Sequence, residues 1–186
     1  MIGYAFTGSF CTHKASLKAL ENLRRGGEDI VPIMSEAVFT TDTRFGKAKN
    51  LIERVEDICS RKVVHTIKDA EPFGPSSPLE LLVIAPCTGN TLAKIALGIT
   101  DTAVTMSAKA HLRQNRNLLI ALASNDAMSA NLKNIGTLLN RKNIYFVPMR
   151  QDDIQKKPHS LVADFTLLPE AFLGARENIQ TRPLFI

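Results

Sequence analysis

The chain has 186 residues, 45% of them apolar and 22% charged, which is the composition of an ordinary folded protein of about one domain and excludes disordered and fibrous classes. Its 23 basic and 18 acidic residues leave a formal charge of +5, spread along the chain, and with Trp absent and no nucleic-acid module signature the excess suits small anionic ligands or a solvated surface. Met1 runs straight into Ile2–Phe6 with no secretory pattern, no apolar run reaches membrane length, and Cys11, Cys59 and Cys87 lack metal-ligand spacing, so reduced thiols in a cytoplasm are expected.

In chain order, Ile2–Phe6 reads as a strand, Gly8-Ser9 as a break, and His13–Arg24 as a helix with Leu17, Leu20 and Leu23 on one face, stopped at Gly26-Gly27. Ile30–Met34 is a second strand and Lys47–Cys59 a second amphipathic helix, followed by a short strand at Val63-Val64. Ala70–Pro78, with three prolines and Gly74, is expected to be a loop. Leu79–Ala85 is continuous in Leu, Val and Ile, as a strand covered on both faces would be. A helix at 92–97, a strand at 118–123, a helix at 127–139 and a strand at 144–148 complete six β/α repeats, with a closing helix expected within 167–179. This alternation predicts an α/β, doubly wound, Rossmann-like parallel sheet of about six strands with helices on both faces, forming one unit over 1–186 with 151–186 as a C-terminal extension. The ligand crevice of such a sheet lies beyond the carboxyl ends of its strands, where the winding reverses.

Two segments after strand ends carry chemistry. In Phe6-Thr7-Gly8-Ser9-Phe10-Cys11 a glycine permits close backbone approach, and N–H groups at a helix start attract phosphate; a tight turn without ligand has the same sequence. Ala85-Pro86-Cys87-Thr88-Gly89-Asn90-Thr91 offers hydroxyl and amide groups at a helix start, suited to capping the helix and to holding a polar ligand. The three-glycine dinucleotide fingerprint does not occur. Cys11 and Cys87 follow strands that flank the expected reversal point, and as buried fillers they would look the same; His13, His65, His111 and His159 have no metal spacing.

The second segment, continued through Lys94, Ala96, Gly98 and Asp101, resembles the Ala-Pro, Ala-Asn-Thr, Lys, Ala, Gly and Asp signature of the flavoprotein superfamily of flavin-dependent cysteine decarboxylases and flavin prenyltransferases. The resemblance implies a flavin mononucleotide (FMN) site, its phosphate turn at Gly8-Ser9, its phosphate-reaching hydroxyl at Ser35, and Thr88, Asn90 and Thr91 on its rim. The decarboxylases' Pro-x-Met-Asn-x-x-Met-Trp clasp survives here only as Asn125 and Met128, and their catalytic His falls at Pro72, with His65 seven residues too early. A narrower likeness, over Thr41–Ala48, Ala70–Pro75, Asn143–Pro148 and Lys156-Lys157-Pro158, is to the family of dipicolinate synthase B subunits. It implies action with an A subunit, which would hold NADP, to oxidise dihydrodipicolinate to dipicolinate in sporulation, and assembly as a homo-oligomer, a trimer or a multiple.

A dicarboxylate substrate needs fixed cations, and a guanidinium forks onto a carboxylate with two charge-assisted bonds. Arg44 is the candidate, with pairing to Asp42 as its ordinary alternative. Asn125 could bind a flavin edge or a substrate carboxylate, or cap a helix, and Met128 would stand beside it. No residue is assigned as catalytic base and no metal is expected. Two other readings stay open: a stand-alone FMN-dependent decarboxylase or prenyltransferase, and a non-catalytic scaffold with a vestigial phosphate site.

Overall fold

Four strands carry the molecule, each an almost unbroken run of buried residues: β1 (Ile2–Phe6), β2 (Ile30–Met34), β3 (Leu81–Cys87) and β4 (Asn117–Ser124). They pair in parallel in the order β2-β1-β3-β4, with Ile2 opposite both Ile30 and Leu81. Such strands are apolar throughout because both faces are covered. Ile2, Tyr4 and Phe6 turn to one core with Leu81, Val83 and Ala85, while Ala5, Leu82 and Ile84 turn to the other. The computed structural model from which this is drawn describes residues 1–186 apart from Pro75 and Ser77.

The first core is closed by α1 (His13–Arg25), α3 (Ala48–Cys59) and α8 (Leu168–Arg176), whose Leu20, Val55 and Phe172 lie within it. Between α1 and α3 in the chain lies α2 (Glu36–Thr40), directly after β2. The second core is closed by α4 (Ile67–Ala70), α5 (Gly89–Leu97), α6 (Ala103–Leu112) and α7 (Leu132–Leu139). Helices therefore cover both faces, as the strand and helix alternation predicts. Among the described residues no helix is long and apolar enough to cross a membrane.

Four expectations need correction. Val63-Val64 forms no strand and contributes only a single parallel bridge, from Val64 to Ile33 of β2. The loop expected at 70–78 contains a 3-10 turn, Glu71–Phe73, since Pro72 stands where its missing N–H costs nothing; Pro75 and Ser77 lie outside the described residues. The helix expected from Ala127 starts at Leu132, because Asp126 organises 124–131 into turns. Helix α6 is not foreseen at all: it is built of small residues and buried on most sides, so it shows no single apolar stripe.

The extension from 151 adds to the sheet and is not a loose tail. After β5 (Ile144–Phe146), which runs parallel to the first half of β4, β6 (Met149–Arg150) and β7 (Leu161–Ala163) form an antiparallel pair, and β7 takes the second half of the same β4 edge at Ala123 and Ser124. Strands this short have no legible periodicity. Helix α8 is tied back to the start of the chain: Arg176 donates two hydrogen bonds to Glu28, at 2.6 and 2.7 Å, and its Nε is 2.9 Å from Glu80 in an ion pair.

Candidate functional site

Since β2 and β3 flank β1, the winding reverses between β1 and β3, and the loops after these strands open side by side. Hydrogen bonds weld them together. Thr7, at the end of β1, donates its hydroxyl to the Pro86 carbonyl at 2.7 Å and accepts the Thr88 N–H at 2.9 Å. On the other side the Ser35 N–H donates to the Phe6 carbonyl at 3.0 Å. The Gly8, Ser35 and Asn90 neighbourhoods thus share one rim, through groups that the sequence pattern does not single out. Thr7 stands out only as a hydroxyl at the end of an otherwise apolar strand.

The first loop is tight. The Ser9 N–H returns to the Thr7 carbonyl at 2.8 Å, and a short 3-10 turn, Phe10–Thr12, leads into α1. His13 braces it: its Nε2–H donates to the Thr7 carbonyl at 2.8 Å, and burial pushes the imidazole pKa down, so the ring is neutral. A Cβ at Gly8 would meet only the Phe10 ring, at 3.7 Å, so the glycine is not forced by crowding.

Ser35 stands at the N-cap of α2, yet its hydroxyl caps nothing. The residue is 8% exposed and its Oγ has no hydrogen-bond partner among the described residues. An unmade hydrogen bond on a buried hydroxyl costs free energy that a ligand acceptor would recover. Phe39, one turn further along, stacks on His65, with centroids 3.7 Å apart and planes 10° from parallel. His65 directly follows the Val64 bridge, so it borders this rim.

Thr88 and Thr91 are committed to the helix. The Thr88 Oγ1 accepts the Thr91 N–H at 3.2 Å and donates to the Thr91 Oγ1 at 3.0 Å, which caps α5. Asn90 is exposed in the same first turn. Position 89 is glycine where the flavoprotein signature has alanine, for a local reason: a Cβ there would collide with Ser124 Oγ and fall 2.6 Å from Asn131 Nδ2 and 2.7 Å from Asp126 Oδ1. Those three groups are bonded together, Ser124 and Asn131 each donating to the Asp126 carboxylate, the latter at 3.0 Å. The bond from Ser124 is the main reason that the Asp126 carboxyl titrates below its usual range.

Asn125 is exposed at the start of this segment and is not a helix cap, while Met128 packs partly against the second core and donates its N–H to the His159 carbonyl at 2.9 Å. Arg44 does not pair with Asp42, which accepts the Ala48 N–H at 2.9 Å at the start of α3. It sits on a turn closed between Thr43 and Gly46, exposed, with its guanidinium 4.9 Å from the Phe45 ring centroid. Of the two cysteines considered for the crevice, Cys87 is a buried core filler whose thiol pKa burial pushes up, whereas Cys11 is exposed. Lys157 is ion-paired with Asp152, 2.5 Å away, and that partner holds its ammonium pKa above the usual value.

Comparison with known proteins identifies the family. The Flavoprotein family model matches residues 1–166. The B subunit of dipicolinate synthase from Bacillus subtilis is 40% identical over 185 residues, which is all of this chain and 92% of that protein. The flavin prenyltransferase UbiX of Thermoplasma acidophilum is 30% identical over 137 residues, 72% of this chain and 71% of the relative. The crystal structure of the dipicolinate synthase B subunit from Bacillus halodurans C superposes with a TM-score of 0.91 at 41% identity, covering 100% of this chain and 95% of that one. The chain belongs to the Flavoprotein family, and within it is a full-length homologue of the B subunits of dipicolinate synthase.

Proposed function

We propose that this chain is the B subunit of a dipicolinate synthase, acting with an A subunit to oxidise dihydrodipicolinate to dipicolinate during sporulation. The carrying observation is that the likeness to two B subunits runs the full length of the chain, including the 151–186 region, most of which lies beyond the family match. The reaction removes a hydride and a proton from the dihydropyridine ring and leaves it aromatic. NADP, which the partner protein would hold, would supply the hydride acceptor.

The residues of the rim fit a flavin. A bound FMN would supply a redox-active ring beside the substrate. Ser35 would donate its unused hydroxyl to the phosphate, the Gly8 N–H would point to it from a turn that the Ser9 N–H holds closed on Thr7, and Asn90 would reach the ligand from the first turn of α5. Thr88 and Thr91 act by holding that turn in place. Arg44 and Asn125, both exposed, would engage the substrate carboxylates, with Met128 supporting the Asn125 turn. The free thiols suit a reducing compartment, and we place the protein in the cytoplasm as a homo-oligomer, a trimer or a multiple.

The test is reconstitution. Neither protein by itself should form dipicolinate from dihydrodipicolinate and NADP, whereas the two together should. Decarboxylation or prenyl transfer by the isolated chain would overturn the assignment, and so would unchanged activity of the complex after Asn125→Ala and Arg44→Ala together.

A further inference from the structure

Beside the flavin rim, and separate from it, a cavity of about 830 Å³ runs between α1 and α3. Its inner end is formed by Phe10 and His13, next to the Gly8 turn, and its outer wall by the Thr43–Gly46 turn with Phe45. That volume is several times what a pyridine dicarboxylate needs and lies toward the upper end for small-ligand sites.

The charges lining it are lopsided: Lys14, Lys18, Arg25, Lys47 and Arg54 against a single carboxylate, Glu21. Glu21 is already engaged, 2.6 Å from Arg54 and 3.8 Å from Arg25. Lys14, Lys18 and Lys47 have no carboxylate within ion-pair distance among the described residues. Lys14 and Lys18 are one turn apart on α1, so their ammonium groups share a face, and Lys47 stands across the groove at the start of α3. Phe45, 54% exposed, presents an aromatic ring to the same space. A strip of unpaired ammonium groups suits a ligand with successive anionic groups, and an exposed ring at the edge suits a planar base.

From this we infer that the groove between α1 and α3 binds a nucleotide with two or more phosphates, its phosphates on Lys14, Lys18 and Lys47 and its base on Phe45. The inference goes beyond the proposed function and does not depend on whether flavin occupies the neighbouring rim.

Calorimetric titration of the full chain with ADP, in the presence of saturating FMN, tests it. Saturable binding is expected that weakens with salt, and the double variant Lys14→Ala/Lys18→Ala should weaken it about tenfold or more, as the loss of charge-assisted bonds implies. Lys47→Ala, on the opposite wall, should weaken it as well, and Phe45→Ala should reduce the preference for ADP over inorganic pyrophosphate. Lys14, Lys18 and Lys47 are all exposed, so unchanged thermal melting should accompany these losses. Absence of saturable binding, binding unaltered by the double variant, or pyrophosphate binding as tightly as ADP would each overturn the inference. FMN affinity, followed by visible absorbance, should stay unchanged in the lysine variants. An equal loss of FMN would merge the groove with the flavin site and also overturn it, while ADP binding without FMN binding would count against the flavin reading alone.

Discussion

The rim after β1 and β2 and the segment after β4 lie along the same edge of the sheet, yet they treat their polar groups in opposite ways. After β2 a buried hydroxyl, Ser35 Oγ, is left without a partner. After β4 every acceptor of Asp126 is used: its carboxylate takes Ser124 and Asn131, and its carbonyl takes the Ser129 and Asn131 N–H groups, both at 3.1 Å. A loop whose polar atoms satisfy one another holds structure, and one with a buried hydroxyl unmatched has a hydrogen bond left to offer.

Substitutions should separate the two. Asp126→Ala is expected to have the largest effect, a loss of about 3 kcal/mol in urea unfolding, because it strips the acceptor from the buried Ser124 and Asn131 side chains. Gly89→Ala should cost about 2 kcal/mol, since the new methyl must displace the same cluster. Both losses would show as stability, with flavin affinity following only as far as the fold is perturbed.

Acid should act on the two regions in different windows. Burial lowers the His13 pKa in the folded chain, so as pH falls below 6.5 the unfolded chain takes up a proton that the folded one resists, and stability declines until the lowered folded value is passed. Hydrogen exchange at 7–13 should quicken there, and His13→Gln should flatten that slope. The Asp126 pKa is depressed, chiefly by the Ser124 hydrogen bond, so its contribution is intact above 3.8 and disappears only as pH falls through the lower folded value. Simultaneous loosening of 7–13 and 125–131 would break the distinction.

The smallest expected change in stability is that of Ser35→Ala, within about 0.5 kcal/mol of the parent, since no hydrogen bond made by that hydroxyl within the described residues is lost. Its effect belongs to ligand binding: FMN affinity should fall about tenfold or more. A large destabilisation without a change in flavin affinity would assign that hydroxyl to the fold.

How much of this was legible in the residues follows from where periodicity is strong. The four central strands and α1, α3 and α5 announce themselves through unbroken apolar runs or a single apolar stripe. Helix α6 does not, because a helix buried on most sides has no polar face to contrast with. The pairing of β6 and β7 is equally silent, two or three residues being too few to show alternation. Of the proposed site, Gly8, Ser35 and Asn90 are picked out by the family signature, while Thr7 and Asp126 are not. Their importance lies in bonds to residues 79 and 2 to 5 positions away, which no local pattern encodes. Arg44 was read by chemical need alone, and the turn that carries it places it beside Phe45 instead of against Asp42.

The clasp between Arg176 and Glu28 joins residues 148 positions apart, and Leu168 and Phe172 of the same helix complete the core beneath β1. Residues 168–176 must therefore be synthesised before the layer beneath the first strand can close. Until then part of that sheet face lacks its cover, and a chain cut before Leu168 should be prone to association through it.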